Sequence, residues 1–316
     1  MTSAFLHEHR EFASLLKIVG KKNGIEPLLV EKDYWIMQAL WGLNDQGLEF
    51  ELKGGTSLSK GYKIIERFSE DIDIKIVPPA DRKVAFGKNK DKPSHVESRK
   101  AYFDWLAGNI KIPGFSKVER DLEFDDKEGK YRSGGIRLFY QSHFESAAFL
   151  KPGILLEVGD DDTAPNEKVL VSSWAYDHAV SSGVTVRDNR AVDVKCYWPE
   201  YTLVEKLQTI STKYRKQQES GTFPPNFLRH YYDVYKLLES DRVTSFIGTD
   251  KYKERKAQRF RSENQDIASN DAFTLPNLDV RRIYEQEYLK NAGLYYRGQV
   301  SFQEILDRIS QFIPKL

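Results

Sequence analysis

The sequence predicts an α+β fold, a mixed-sheet domain followed by a mostly helical domain. Three observations predict it. Short apolar or alternating runs recur up to about residue 200, and from Tyr201 onward apolar residues fall mainly at helical spacing. Within the first part, the run Phe50-Glu51-Leu52-Lys53 meets Gly54-Gly55-Thr56-Ser57, and about a helix's length later comes the alternation Asp71-Ile72-Asp73-Ile74. That order reads as strand, tight turn, helix opening and second strand. Pro199 marks the change of character, so the domains are expected over residues 1–200 and 201–316.

The elements follow in order. Phe12, Leu15, Leu16 and Val19 stand at helical spacing within residues 8–20, and a second helix is expected over Leu28–Trp41, ended by Asn44 and Gly47. In that helix Lys32 and Asp33 read as a solvated face. Residues 78–98 hold Pro78, Pro79, Gly87 and Pro93 without sustained periodicity, so a long loop or insertion is expected; its Lys83, Lys88, Lys90 and Lys92 read either as a basic surface for RNA or, as favoured, as part of a mobile solvated loop. Helix returns over Val96–Ile110. Strands are expected near Lys117–Asp125, Gly135–Gln141 and Gly153–Gly159, with a turn at Lys127–Lys130. Val169–Ala175, Val184–Val186 and Val192–Trp198 read as further short strands, and helices over Val280–Leu289 and Phe302–Ile313 close the chain.

Composition bounds the function. With 316 residues, 40% hydrophobic and 30% charged, the chain reads as soluble and globular and is long enough for two cores. The net charge of +1, from 48 basic and 47 acidic side chains, gives no global argument for nucleic acid, although a local basic patch stays open. The single cysteine, Cys196, excludes an internal disulfide and a cysteine zinc cluster, and the 6 histidines are scattered. No apolar run reaches the roughly 18 residues of a membrane span, and Met1–Arg10 has no signal-peptide pattern. The expectation is a cytoplasmic protein with no membrane partner.

The chemistry concentrates around residue 54. Glycine lacks a Cβ, so the backbone at Gly54 and Gly55 can bend sharply and approach a phosphate. Thr56 and Ser57 then fall where a helix N-terminus offers N–H groups to an anion. Lys53 and Lys60 read either as cations within reach of a triphosphate or as simply exposed. Arg67 either fastens the turn into the second strand or meets the nucleotide. Strand side chains repeat every two residues, so Asp71 and Asp73 share a face and repel unless a cation lies between them. Hard oxygen ligands suit Mg²⁺ or Mn²⁺, with the phosphates of an NTP completing the shell. Glu157, inside the apolar run Gly153–Gly159, is either a third carboxylate for metal support or base work, or a solvent-facing residue of an edge strand. Asp160, Asp161 and Asp162 read as solvated turn acids. In the helical part, Leu203, Leu207 and Ile210 form a stripe beside which Lys206 can lean over a catalytic face, and Arg229 with Asp233 reads as an i,i+4 helix pair.

Together the glycine turn and the paired aspartates resemble motif one of polymerase-β-type nucleotidyltransferases. Lys53-Gly54-Gly55-Thr56-Ser57-Leu58 with Arg67-Phe68-Ser69-Glu70-Asp71-Ile72-Asp73 resembles the AbiEii/AbiGii toxin family more narrowly. Glu31-Lys32-Asp33-Tyr34, Glu205-Lys206-Leu207 and Arg229-His230-Tyr231-Tyr232-Asp233 extend the resemblance from residue 28 to about 238. It implies a polymerase-β-type domain and a helical domain that completes the active cleft. Lys206 would meet the phosphates, Asp233 would position Lys206 or act as a base, and a third carboxylate would join Asp71 and Asp73. It further implies Mg²⁺-dependent transfer of NMP from NTP by the toxin of a type IV toxin–antitoxin, abortive-infection or phage-defence system. The acceptor would be RNA such as a tRNA 3′ end, and a cognate antitoxin would be encoded nearby. A protein hydroxyl or small molecule as acceptor, or a non-catalytic nucleotide-binding relative, are the other readings.

Overall fold

A computed structural model describes residues 3–87, 89–126, 128–145, 147, 150–260 and 266–316. Lys88 among the expected loop lysines, Lys127 of the expected turn and residues 261–265 lie outside the described residues. The chain separates into two compact units: one takes the chain up to Gly61 together with Phe68–Tyr197, the other Tyr62–Arg67 and Trp198–Leu316.

The first unit is an α+β domain. Its helices are α1 (Phe12–Asn23), α2 (Pro27–Asp45), a single turn α3 (Gly54–Thr56), α4 (Pro93–Asn109) and α5 (Trp174–Ser181). Among the described residues its strands are β1 (Phe50–Lys53), β2 (Asp71–Ile76), β3 (Phe115–Asp121), β4 (Ser133–Tyr140), β5 (Ile154–Gly159), β6 (Asn166–Val171) and β7 (Ala191–Tyr197). They form one mixed sheet in the order β3-β4-β5-β2-β1-β7-β6. β2 pairs parallel with β5 and β1 parallel with β7, while β1 and β2 are antiparallel. β2 and β5 are therefore interior strands, and the edge-strand account of Glu157 does not hold.

Several expectations are corrected. The helical run after the glycines ends at Gly61, and Lys63 takes a left-handed φ of 56° that a helix cannot continue through. Residues Ser173–Ser181 are not strand: the Ser173 hydroxyl accepts the Tyr176 amide at 3.2 Å and starts α5. Val184–Val186 is irregular. The segment after Pro78 is pinned rather than loose, because the Arg99 guanidinium, 1% exposed, donates to the Ala85, Lys90 and Lys130 carbonyls at 2.6–2.8 Å.

Helix α2 departs furthest from expectation. It is buried almost throughout, packed against α1, α5 and β7. Val30, Tyr34, Met37 and Leu40 supply core side chains, each worth about 1.5–3 kcal/mol when fully buried. Lys32 and Asp33 are not a solvated face. Successive helical residues turn by roughly 100°, so Glu31, Lys32 and Asp33 aim in three directions, and each finds its own partner. Glu31 accepts from Ser142 Oγ at 2.6 Å and from His143. Lys32 donates to the Lys151 carbonyl at 2.5 Å and lies 3.8 Å from Glu70. Asp33 pairs with Lys60 and accepts the Trp174 amide at 2.9 Å. These bonds leave Lys60 engaged at the end of the glycine turn. Burial in this packing pushes the Lys32 ammonium down to about 8, partly offset by the negative charges of Glu70 and Asp71.

The second unit is helical: α6 (Pro199–Ser220), α7 (Arg229–Leu237), α8 (Asp241–Phe246), α9 (Asp250–Arg259), α10 (Leu278–Leu289) and α11 (Phe302–Phe312). The stripe Leu203, Leu207 and Ile210 is fully buried, as are Tyr231, Val234, Leu237, Ile305 and Ile309. Among the described residues no helix is long and apolar enough to cross a membrane.

Asp33→Ala should test the buried pairing of α2. It leaves the Lys60 ammonium, 12% exposed, without its carboxylate, so urea unfolding should show a loss of about 3–5 kcal/mol. Lys17→Ala on the exposed face of α1 should change stability by less than about 0.5 kcal/mol.

Candidate active site

The first cluster is built on three neighbouring strands of the first unit. Register places Lys53 of β1 opposite Asp73 of β2, and Asp73 beside Glu157 of β5. Asp71 lies two residues from Asp73 and so shares its face, as the alternation predicts. Strands lie about 4.8 Å apart, so three carboxylates crowd one patch of the sheet. Burial, then the charges of Asp73 and Asp71, push the Glu157 carboxyl up to about 8. Asp71 Oδ2 receives the Lys151 ammonium at 3.0 Å, whereas its buried Oδ1 has no hydrogen-bond partner among the described residues. Lys53, expected at a triphosphate, pairs with Asp161, which is thereby more than a solvated turn acid.

The glycine turn is built against this patch. Gly54 has φ +68°, and a Cβ there would stand 1.9 Å from Asp73 Oδ2 and 2.7 Å from its Cγ. Only glycine allows both the left-handed backbone and this approach. Thr56 Oγ1 donates to the Asp71 carbonyl at 2.7 Å, tying the turn to the start of β2. Gly55 and Ser57 are buried beside it, and among the described residues the Ser57 hydroxyl has no hydrogen-bond partner.

The second cluster belongs to the helical unit. Arg67 donates to both oxygens of Asp233, Nε to Oδ1 at 2.6 Å and Nη2 to Oδ2 at 2.8 Å. Lys206 lies 2.9 Å from Asp233 Oδ2 and 3.4 Å from His230 Nδ1. Burial alone raises the Asp233 carboxyl, but Arg67 and Lys206 more than reverse this and hold it well below the usual carboxylate range. His230 is driven well below an ordinary imidazole by burial and by Lys206, so it meets the ammonium as a neutral acceptor. Such a carboxylate suits the positioning of Lys206 better than proton abstraction, because a low pKa makes a weak base.

Among the described residues no three His, Cys, Asp or Glu side chains already converge as a finished metal-binding group. The donor set nevertheless fits a hard divalent ion. It is all carboxylate oxygen, it holds an Asp71 oxygen unpartnered among the described residues, and its like charges call for positive charge. Sequence reasoning missed Lys151, which no periodicity marks, and missed the partners of Lys32 and Asp33. Their signal was present: three consecutive charges inside a helix apolar on every side cannot all face water.

A glycine turn pressed against paired strand aspartates, with a glutamate on the next strand, is an arrangement suited to nucleotidyl transfer. The sequence model described as "Nucleotidyl transferase AbiEii toxin, Type IV TA system" matches residues 35–308, and the chain belongs to that family. No curated protein matches the chain. The crystal structure of an antigenic nucleotidyltransferase-like protein from Paracoccidioides brasiliensis is similar at 12% identity and a TM-score of 0.39, over 72% of this chain and 87% of the other, a likeness too distant to bear on activity.

Two outcomes are expected. Gly54→Ala should cost about 1–2 kcal/mol from its left-handed backbone and, by displacing Asp73, should abolish nucleotide binding in equilibrium dialysis while the thermal transition stays cooperative. Asp233→Asn should lose about 3–5 kcal/mol at pH 7, since Arg67 and Lys206 would be left facing a neutral amide. A depressed carboxylate stabilises above its unfolded pKa near 4 and loses that contribution as pH falls. The stability gap between wild type and variant should therefore narrow in denaturant titrations below pH 4.

Proposed function

We propose that the protein is a divalent-metal-dependent toxin that transfers a nucleoside monophosphate from an NTP to an RNA hydroxyl, with the tRNA 3′ end as acceptor. The observation that carries this reading is the juxtaposition of Asp71, Asp73 and Glu157 on adjacent interior strands with the Gly54 turn against Asp73. Asp71 and Asp73 would hold Mg²⁺ or Mn²⁺, with Glu157 in support. A divalent ion there would polarise the phosphate and neutralise charge on the departing pyrophosphate.

The acceptor oxygen forms a bond to the α-phosphorus as the bond to the β-phosphate oxygen breaks. Pyrophosphate leaves, and a carboxylate of the same face takes the hydroxyl proton. Gly54, Gly55, Thr56 and Ser57 form the turn that meets the phosphates, and Lys53 exchanges Asp161 for them. Lys206 serves as a phosphate-binding cation, stabilising charge as it develops. Asp233 positions Lys206, and Arg67 positions Asp233. Membership of a type IV toxin–antitoxin family supports growth arrest as the outcome and a cognate antitoxin as the partner.

The test is label transfer from each α-³²P NTP, with Mg²⁺, into total tRNA and cell protein, alongside the Asp71→Ala/Asp73→Ala variant. Label in tRNA that falls at least about 10³-fold in the variant is expected, since both carboxylates hold the metal. Label in protein or a metabolite would replace the acceptor. No label from any nucleotide would overturn the catalytic reading.

A further inference from the structure

Lys151 stands at the carboxylate patch with no part in the scheme above. The chain that presents it precedes β5, and three buried charged side chains hold its backbone. Lys32 donates to the Lys151 carbonyl at 2.5 Å. Glu70 accepts the Lys151 amide at 2.9 Å and lies 3.8 Å from Lys32. Arg137 donates to the Pro152 carbonyl at 2.7 Å. These three residues are only 2%, 5% and 8% exposed. Burying charge is costly, and here it fixes two residues of loop backbone. What remains able to move is the Lys151 side chain, 34% exposed. Its ammonium lies 3.0 Å from Asp71 Oδ2 and 4.5 Å over the Phe124 ring. The ammonium can therefore leave Asp71 without breaking any bond that the Lys151 backbone makes.

We propose that Lys151 is a built-in counter-ion of the carboxylate patch, which a divalent cation must displace from Asp71 and which then moves to the polyphosphate of the incoming nucleotide. The inference rests on the reading of Asp71 and Asp73 as a metal and nucleotide site. Without nucleotide, ammonium and metal compete for the same carboxylate, so the metal alone binds weakly. The polyphosphate gives the displaced ammonium a new anion, so metal and nucleotide each raise the other's affinity by the same factor. The patch then fills with metal and nucleotide together rather than with metal alone.

Mn²⁺ binding to the full chain, read from the free-ion electron paramagnetic resonance signal with and without a non-hydrolysable NTP analogue, tests this. Lys151→Met should bind Mn²⁺ alone about tenfold more tightly than wild type, and the enhancement by the analogue should shrink by about the same factor. Lys151→Arg keeps the charge and should stay within about twofold of wild type. Lys151→Gln carries the Met expectation if the Met variant melts early. Unchanged or weaker Mn²⁺ binding in the neutral variants, with wild type binding normally beside the analogue, would overturn the counter-ion role alone. No Mn²⁺ binding by any form even with the analogue, or binding indifferent to Asp71→Asn, would overturn the metal-site reading beneath it.

Discussion

Carboxylate repulsion is the constraint around which the first unit is arranged. Asp71, Asp73 and Glu157 share one face of two parallel interior strands, and the raised Glu157 carboxyl registers first its burial and then the charges of Asp73 and Asp71. Like charges held that close destabilise a fold unless something positive is supplied. Part of that charge is covalent to the chain: Lys53 stands opposite Asp73, and Lys151 reaches Asp71. The rest is left to what binds. A sheet built this way keeps like charges at its centre, held there by the surrounding packing.

That packing is helix α2. Its consecutive Glu31, Lys32 and Asp33 each anchor a different segment: the chain at Ser142 and His143, the Lys151 backbone with Glu70, and the end of the glycine turn through Lys60 and α5. Paired buried charges contribute less to stability than their number suggests, because desolvation opposes the attraction. Their use here is positional. Two of the three anchors hold segments that border the carboxylate patch. In the helical unit, Asp233 does similar work, fixing Lys206 with Arg67 behind it.

The patch itself was legible in the sequence because its signals are local. The i,i+2 aspartates and the glycines before them follow from spacing, whereas Glu157 was open between a third carboxylate and an edge-strand residue until the register set it beside Asp73. What was not legible depends on pairing across long stretches of chain. Lys32 and Lys151 are separated by 119 positions, and Arg67 and Asp233 by 166. No periodicity encodes such contacts. The spacer between Gly54 and Asp71 has a helix's length, yet its helical run ends at Gly61 and Tyr62–Arg67 belongs to the other unit. The loop before α4 was read as mobile because its composition is polar, while a single buried arginine, Arg99, determines its path.

The central claim is that Asp71 and Asp73 bind a divalent ion together with a nucleotide. Anomalous diffraction from crystals grown with Mn²⁺ and a non-hydrolysable NTP tests it most directly. A manganese peak about 2.1 Å from carboxylate oxygens of both aspartates, with the polyphosphate beside the Gly54 turn, is the predicted result. Nucleotide bound elsewhere, or manganese bound away from both aspartates, would contradict it.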